Sequence, residues 1–364
     1  MLTATPVQNN LVELFNLLTL LKPGLLHTEA QFKKEYVGSK NGRVPKNPEK
    51  LRQLMREVMV RNTRSVVDIK LPKRFASTIT ITPGAKEQEL YEAIDRYLRQ
   101  QLGGIDKLTR NNLLMRAGSS PIALSETIKG LQARFKHDEI AFLLKRAKGV
   151  KDFEKAKQLV ALLKKSTRKT LVFINYKTTM SYISKYLEKQ NISHVCFRGS
   201  MSLKAKDAAI DSFRESVSVM LASETGGEGR NLQFANTIVN YDLPWNPMKI
   251  EQRIGRLHRI GQTSDVFIFN LVLANSIEAY ILKILHDKIN MFELVVGEIE
   301  TILGNMGDEF DFSETVIDLW LANEKPKQRA TAFSNLGQQL LDAKHSYQEI
   351  QEFDEKLFGD EFEA

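Results

Sequence analysis

The sequence has 364 residues, of which 42% are hydrophobic and 26% charged, and these proportions are typical of a globular protein rather than a disordered chain. Cys196 is the only cysteine, which excludes a disulfide within the chain and favours a reducing, intracellular compartment. The histidines are scattered without metal-ligand spacing, and no apolar run approaches the length of a membrane span.

The charge is distributed unevenly along the chain. Residues 1–303 carry 47 basic and 30 acidic side chains, a net charge of +17, whereas residues 304–364 carry 5 basic and 14 acidic ones, a net charge of −9. A basic body followed by an acidic tail favours a polyanionic partner such as nucleic acid. Charge alone leaves a second interpretation open, in which the lysines serve only solubility.

The first 150 residues are predicted to be mostly helical. Apolar residues recur at helix spacing from Leu11 to Leu21 and stop at Pro23-Gly24. Residues 75–82 alternate as a strand does, and residues 84–147 carry further helical patterns.

Beyond about residue 150, short β-rich apolar runs alternate with amphipathic helical patterns. The runs span 170–175, 194–197, 217–222, 237–241 and 266–271, and the helical patterns span 178–190, 203–215, 247–259 and 275–303. This alternation is typical of a parallel sheet with helices on both faces, so we predict a doubly wound α/β domain. An acidic helical tail follows, and its last stretch, 349–364, has the composition of a disordered segment.

The strongest chemical signal is the segment Gln252–Gln262. On a continuous helix, Gln252, Arg256 and Arg259 share one face, because they stand at i, i+4 and i+7. Three apolar residues pack the opposite face: Ile250, Ile254 and Leu257. One guanidinium can donate two parallel hydrogen bonds to phosphate oxygens, so a face that carries two arginines is typical of a phosphate site. The alternative is a plain basic helix on the protein surface. The helix is predicted to end near the carboxyl edge of the sheet, where open α/β folds bind ligands.

A glycine-rich turn, Ser223–Leu232, directly follows the predicted strand 217–222. Gly226, Gly227 and Gly229 let the backbone approach a partner closely and adopt positive φ. Backbone amides in such a turn, near the start of a helix, form an anion site. By itself this turn is weak evidence for an anion site, but the evidence becomes specific because Gln252–Gln262 follows it in the chain.

These segments together resemble the motifs of helicase superfamily two. The order of residues 2–9, Val172-Phe173, 225–232 and 252–262 is similar to that of its motifs III, IV, V and VI. Arg256–Gln262, taken with residues 3–9, resembles the Swi/Snf branch of DNA-dependent ATPases, and the resemblance covers about residues 1–300.

The resemblance implies a RecA-like fold in three parts. Residues 1–150 would be the remnant of a first motor lobe with a mostly helical protrusion. Residues 151–303 would be the second RecA-like lobe, the helicase C-terminal domain, and residues 304–364 an acidic helical tail. We therefore expect a protein of the cytoplasm, associated with the nucleoid in a prokaryote or located in the nucleus of a eukaryote.

The resemblance also implies roles for individual residues. Arg256 and Arg259 would be arginine fingers, which neutralise charge developing on the γ-phosphoryl group of ATP. Gln252 and Gly229 would bind the nucleotide with them, and Asn231 would couple the nucleotide site to the DNA site. Six residues would follow the backbone of duplex DNA: Thr225, Gly226, Gly227, Arg198, Gly199 and Ser200. No metal ligand is predicted in this chain.

Two parts of the family's ATP site are missing from the sequence. It contains no Gly-x-x-x-x-Gly-Lys-Ser/Thr loop and no Asp-Glu-x-His-type motif before Thr3. In the family both belong to the first lobe, so ATP with Mg²⁺ is expected only when that lobe is supplied in cis or in trans. Residues 1 to about 25 are expected to pack poorly or against a neighbouring molecule, because their strand belongs to the first lobe's sheet.

Three functions remain open at this point. The favoured one is the C-terminal motor lobe of an ATP-dependent translocase or remodeller of double-stranded DNA. The others are a non-catalytic DNA- or partner-binding protein and one half of a split ATPase.

Overall fold

A computed structural model describes residues 11–38, 46–56, 58, 71–101, 104–134, 138–224, 232–294, 297–307 and 310–358. The chain forms two compact units, one made of Met1–Lys70 with Asp342–Ala364 and the other of Leu71–Leu341. These bounds differ from the three-part division expected from the sequence, which stays a prediction about functional parts.

The smaller unit has a core built by its first three helices, α1 (Leu11–Leu21), α2 (Glu29–Tyr36) and α3 (Pro48–Arg56). Leu11, Leu14 and Leu18 are fully buried in one cluster with residues of α2 and α3. The expectation of poor packing is therefore wrong for α1, because its apolar face is covered within the chain. Residues 1–10 lie outside the described residues.

The larger unit begins with a strand and five helices. In chain order they are β1 (Arg74–Ile81), α4 (Ala85–Gln100), α5 (Lys107–Ser119), α6 (Pro121–Arg134), α7 (Asp138–Gly149) and α8 (Glu154–Lys165). The buried Glu87 carboxylate accepts hydrogen bonds from the backbone N–H groups of Gly84, at 3.0 Å, and Glu154, at 3.1 Å. One side chain thereby caps the first turns of both α4 and α8.

The rest of this unit alternates strands and helices before ending in helices. These elements are β2 (Thr170–Phe173), α9 (Lys177–Lys189), β3 (His194–Phe197), α10 (Leu203–Glu215), β4 (Val219–Ala222), β5 (Thr237–Asn240), α11 (Pro247–Ile254), β6 (Val266–Leu273), α12 (Ile277–Asp287), a 3-10 turn (Met291–Glu293), α13 (Glu298–Gly304), α14 (Phe312–Ala322) and α15 (Pro326–Phe358). No helix among the described residues is long and apolar enough to cross a membrane.

The strands of the described residues form one sheet in the order β1-β6-β5-β2-β4-β3, and every neighbouring pair is parallel. The predicted α/β fold, a doubly wound parallel sheet, is confirmed. Since all strands are parallel, their carboxyl ends meet at one edge of the sheet. The chain leaves β2 toward β3 on one side and leaves the adjacent β5 toward β6 on the other. The gap between β2 and β5 is therefore the topological switch point, where such folds bind ligands.

Several predicted bounds need correction. The helix predicted over 247–259 ends at Ile254, and the pattern over 275–303 forms α12, the 3-10 turn and α13. The stretch predicted to be disordered from residue 349 is helical as far as Phe358, while residues 359–364 lie outside the described residues.

Asp95 ties α4 to the two last helices of the chain. Its carboxylate accepts two hydrogen bonds from Arg99, at 3.0 and 3.1 Å, one from Trp320 Nε1 at 2.8 Å and one from Arg329 at 2.8 Å. The Arg329 guanidinium also lies over the Trp320 ring, 3.8 Å from its centroid. This cluster makes α14 and the start of α15 part of the larger unit.

We expect Asp95→Asn to lower the free energy of unfolding by about 2 kcal/mol at pH 7, as the loss of hydrogen bonds to a charged group does. Burial by itself would raise the pKa of Asp95, but Arg99, Arg329 and Trp320 outweigh it and lower the pKa. The stabilisation is thus complete above the usual carboxyl pKa and is lost as pH falls through the lowered one.

Urea unfolding at several pH values measures this dependence. The difference in the free energy of unfolding between wild type and Asp95→Asn should become smaller as the solution is acidified below the usual carboxyl pKa. Asp211→Asn is the control, because the ion pair of Asp211 with Arg214 is exposed. A difference that stays constant with pH would contradict the assignment.

Candidate functional site

A cavity of about 470 Å³ lies at the carboxyl edge of the sheet. Asn175, Glu224 and Asp242, which line it, follow the strands β2, β4 and β5. The cavity therefore lies at the switch point between β2 and β5. Helices α5, α8 and α12 close its sides with further polar residues, Lys155 and Glu278 among them.

Arg253 joins the loops at this edge. Its guanidinium donates to the Asn240 side-chain oxygen at 2.9 Å, the Asp242 backbone oxygen at 2.7 Å and the Asn175 side-chain oxygen at 2.9 Å. A Glu224 carboxylate oxygen lies 3.7 Å away. Only 2% of Arg253 is exposed, and this burial lowers its pKa to about 10, so the side chain stays charged at neutral pH.

Two further buried charges lie beside this network. Asp242 accepts a hydrogen bond from the Asn175 backbone N–H at 2.7 Å, and Lys155 donates to the Gly118 backbone oxygen at 2.7 Å. Burial raises the pKa of Asp242, and the charge of Lys155 opposes that rise. Burial likewise lowers the pKa of Lys155, opposed by Asp242 and Glu278. Each charge thus partly offsets the cost of burying the other.

The arginine segment, residues 255–262, does not continue the helix before it. Helix α11 starts at the carboxyl edge, where the Asn246 side chain accepts from the Met248 N–H at 2.9 Å. The regular helix ends at Ile254: Arg256 N–H donates to Arg253 O at 3.1 Å, three residues back, while His258 N–H donates to Ile254 O at 2.8 Å, four residues back. The predicted continuous helix from Gln252 to Arg259 is therefore wrong, and the shared face of Gln252, Arg256 and Arg259 that depended on it stays a prediction.

Two buried side chains hold this segment in place. His258 donates from Nε2 to Pro72 O at 2.8 Å and accepts at Nδ1 from Arg74 Nε at 3.0 Å. Because Arg74 can only donate, Nδ1 carries no proton and Nε2 does. The side-chain amide nitrogen of Gln262, which carries two hydrogens, lies within hydrogen-bond distance of three backbone oxygens, those of Gln233 at 3.0 Å, Ala235 at 3.1 Å and Leu257 at 3.0 Å.

These anchors locate the segment at the amino edge of the sheet, since Pro72 precedes β1 and Ala235 precedes β5. The predicted position at the carboxyl edge is wrong. The reason lies in the parallel sheet: α11 must carry the chain from the carboxyl end of β5 back to the amino end of β6.

The segment combines a fixed backbone with accessible charges. His258 and Gln262 are only 4% and 7% exposed, and Leu257 is fully buried. By contrast, Arg259 is exposed and Arg256 half-buried. Two guanidiniums are thereby presented from a backbone that is held on its other side, which suits the recognition of a phosphate chain.

Comparison with known proteins identifies the family. A SNF2-related domain matches residues 1–140, and a helicase conserved C-terminal domain matches residues 153–261, together well over half of the chain. The ATP-dependent helicase YqhH of Bacillus subtilis is 39% identical over 310 residues, covering 83% of this chain and 55% of that protein. The chain belongs to the SNF2 family.

Other SNF2-family proteins are more distant. A RAD54-like DNA repair and recombination protein of Drosophila virilis is 26% identical, over 78% of this chain and 40% of that protein. The SWI2/SNF2 ATPase core of Sulfolobus solfataricus in complex with dsDNA is 21% identical, over 80% of this chain and 61% of that chain, with a TM-score of 0.44. The chain thus spans about half of YqhH and less of the RAD54-like protein.

The structure brings some of the predicted site residues of this SNF2-family chain together. Residues 198–200 follow β3, and the Gly199 N–H donates to the Ser223 hydroxyl at 3.2 Å, directly before the glycine-rich segment. Gln252 is exposed on α11. Residues 198–200, which are predicted to contact DNA, therefore lie at the carboxyl edge of the sheet. Arg256 and Arg259 lie at its amino edge. Five predicted residues lie outside the described residues: Thr225, Gly226, Gly227, Gly229 and Asn231.

The sequence interpretation missed the buried polar residues at the carboxyl edge. A usable signal existed for Arg253, which falls on the apolar face of α11, three residues after Ile250 and four before Leu257. Asn175 and Asp242 likewise each follow an apolar run directly. Among the described residues, no three His, Cys, Asp or Glu side chains are grouped so as to hold a metal ion.

Proposed function

We propose that this chain forms the second motor lobe of an ATP-dependent translocase of double-stranded DNA. Arg256 and Arg259 act as arginine fingers toward the γ-phosphoryl group, and Gln252 with Gly229 binds the nucleotide. The family relative YqhH is by name an ATP-dependent helicase, which supports the use of ATP. The upstream lobe would supply the remaining ATP-binding residues.

The observation that carries this proposal is the arginine segment. His258 and Gln262 are buried and donate hydrogen bonds to backbone oxygens that precede β1 and β5, whereas Arg259 is exposed. A finger needs this arrangement, because donors that are already in position at the transition state need no reorganisation when charge develops. A plain basic surface helix would have no reason to bury its His and Gln.

The described residues fit the phosphate part of the nucleotide better than its metal. Exposed guanidiniums suit phosphate oxygens, whereas Mg²⁺ takes carboxylate oxygens and water. No acidic cluster of the described residues lies ready for a metal. Bound ATP would supply the phosphoryl group, and this chain's arginines would neutralise its charge.

The proposed DNA track is the carboxyl edge. It comprises the residues after β3, Arg198, Gly199 and Ser200, and the glycine-rich segment after β4 with Thr225, Gly226 and Gly227. Asn231 would couple this track to the nucleotide site. The hydrogen bond from the Gly199 N–H to Ser223 holds the two loops together, which supports the idea that both contact the same stretch of DNA backbone.

We expect weak, sequence-independent binding to duplex DNA that falls steeply with salt. Each neutralised phosphate contributes about 0.9 to the slope of log affinity against log salt concentration, and several contacts should sum. Fluorescence anisotropy with two unrelated duplexes over a range of salt measures both the slope and the preference. Salt-independent binding, or a strong preference for one duplex, would argue against a backbone track.

We also expect residues 1–364 alone to hydrolyse no ATP, with or without DNA. The arginine segment can neutralise charge, but the printed sequence has no phosphate-binding loop to hold and orient Mg-ATP. A steady-state phosphate-release assay tests this. DNA-stimulated turnover that disappears in Arg259→Ala would show that the chain carries a complete ATP site.

A further inference from the structure

The cavity of about 470 Å³ at the carboxyl edge is not used by the proposed function. None of the nucleotide or DNA contacts proposed above, so far as those residues are described, lines it. Residues of α5, α8, α12 and α14 form much of its wall, together with the loop after β5. Its volume falls in the range of small-molecule sites, roughly 300–1,000 Å³, so a small ligand suits it better than a segment of another protein.

Three carboxylates line the cavity, and two of them are buried. Asp242 and Glu278 are each 5% exposed, and the side chain of Glu224 is 30% exposed. The charges of Asp242 and Glu278 both act to raise the pKa of Lys155, against the effect of burial, and both raise the pKa of Tyr176. Lys155 and Tyr176 also line the cavity, so the two buried carboxylates act on the same space.

The positive charges beside the cavity do not balance these three carboxylates. Lys155 and Arg253 are the buried lysine and arginine among the described residues, which leaves one negative charge without a buried counterpart. Lys249 lines the cavity as well, but it is exposed and its ammonium can stay in water. A buried charge without a partner destabilises the fold, and a ligand of opposite charge would relieve that cost.

Asp242 has an oxygen left for a ligand. Its Oδ2 accepts from the Asn175 backbone N–H, whereas Oδ1 accepts no hydrogen bond from the described residues, although Ser119 lies close enough to lower the pKa of this carboxyl. Asn111 Oδ1 is also buried and unpaired within the described part of the chain, and Asn111 lines the cavity too. Buried polar atoms without a partner are rare in folded proteins. Both atoms are acceptors, so the partner that suits them is a hydrogen-bond donor.

Gly118 on α5 makes room for the Glu278 carboxylate. A Cβ at residue 118 would overlap Glu278 Oε1, so a glycine is needed to leave the carboxylate where it is. Among the described residues, the one hydrogen bond that this carboxylate accepts comes from Trp245 Nε1 to Oε1, at 3.2 Å. Glu278 Oε2 is therefore available to a ligand in the cavity.

We propose that the cavity binds a small organic amine in its protonated form. The ammonium group donates to Asp242 Oδ1 and Glu278 Oε2 and supplies the positive charge that the cavity lacks. The apolar part of the amine packs against Leu243, Trp245 and Ile317, which also line the cavity. A metal ion fits less well, since the described residues contain no group of three His, Cys, Asp or Glu side chains that could hold one. The inference goes beyond the proposed function and does not depend on it.

Isothermal titration calorimetry of residues 1–364 with three small probes tests this without ATP or DNA. The probes are 2-phenylethylamine, the neutral 2-phenylethanol and the anionic 3-phenylpropionate, which share one ring and have similar lengths. 2-Phenylethylamine should bind at a single site, and the other two at least about tenfold more weakly, because they lack the positive charge. Glu278→Gln should weaken the binding of the amine by about tenfold or more, since it removes a charge but keeps an acceptor for Trp245.

Three further variants separate binding in the cavity from folding and from binding elsewhere. Asp242→Asn should weaken the amine about as much as Glu278→Gln does, and if one of the two melts early by circular dichroism, the other decides. Ser313→Trp places an indole in the cavity from α14 without removing a buried charge, so it should abolish binding of the amine. Asp211→Asn is the matched control, because that carboxylate is exposed on α10, and its affinity for the amine should equal that of wild type.

Four results would overturn the inference. The first two are no binding of 2-phenylethylamine up to about 10 mM and equal affinities for the amine and the alcohol. The others are undiminished binding of the amine by the folded carboxylate variants or by Ser313→Trp, because the amine would then bind outside the cavity. Each of these results leaves the proposed function as it stands, since neither Arg259 nor residues 198–200 line the cavity.

Discussion

Arg259→Ala should lower ATP turnover by about 10³-fold or more in a longer protein that joins this chain to an upstream ATP-binding lobe. A finger contacts the nucleotide mainly when the lobes close, so it stabilises the transition state more than the ground state. DNA affinity should change little, because Arg259 lies at the amino edge and the proposed DNA track at the carboxyl edge. Arg259→Lys should rescue turnover poorly, since an ammonium keeps the charge but lacks the planar fork.

Three measurements on these variants separate a finger from a plain surface arginine: turnover, DNA affinity and melting temperature. Arg134→Ala is the control, because Arg134 is an exposed arginine whose ion pair with Asp106 spans 3.8 Å. If Arg259 is a plain surface arginine, the opposite pattern is expected. Arg259→Lys would then have nearly normal ATP turnover, and Arg259→Ala would lose DNA affinity or stability instead. Near-wild-type turnover of Arg259→Ala would remove the assigned role.

Arg253→Met should lower the free energy of unfolding by about 3–5 kcal/mol, the range for removing one partner of a buried charge network. The substitution keeps an apolar side chain of useful length but leaves the oxygens of Asn175, Asn240 and Asp242 without their donor. It also leaves the Glu224 carboxylate without the cation beside it.

Urea unfolding of Arg253→Met beside Arg134→Met measures the effect. The control removes an exposed ion pair and should change stability by no more than about 0.5 kcal/mol. The loss of stability in Arg253→Lys should lie between those of Arg253→Met and Arg134→Met, because one ammonium can reach fewer of the acceptors that the guanidinium fork reaches. A loss below about 1 kcal/mol for Arg253→Met would mean that the network is replaced by solvent or by rearranged neighbours.

Strands β2, β4 and β5 were predictable because each is a short, mostly apolar run, and each is buried along its whole length. The runs at 194–197 and 237–241 correspond closely to β3 and β5. Strand β1 was also visible in the alternation over 75–82. Its pairing with β6 was not, because pairing depends on contacts between residues far apart in the chain.

The end of α11 was not predictable from periodicity. The apolar spacing of Ile250, Ile254 and Leu257 continues past the helix, and all three are buried as expected. What ends the helix is its tertiary surroundings: Gln262 and His258 are bonded to backbone groups before β5 and β1. Local propensity yields to such bonds when they satisfy buried polar groups.

By itself, the sequence determined which family this chain belongs to, the parallel α/β class and the residue types that could meet phosphate. Those properties depend on local order: apolar runs, a glycine-rich turn and Arg256 and Arg259 at fixed spacing. Only the tertiary structure decided that these arginines lie at the amino edge and that Arg253 is buried beside Asp242. The physical reason is that the direction of the strands sets the edge at which each loop emerges, and the cost of burying polar groups sets their partners.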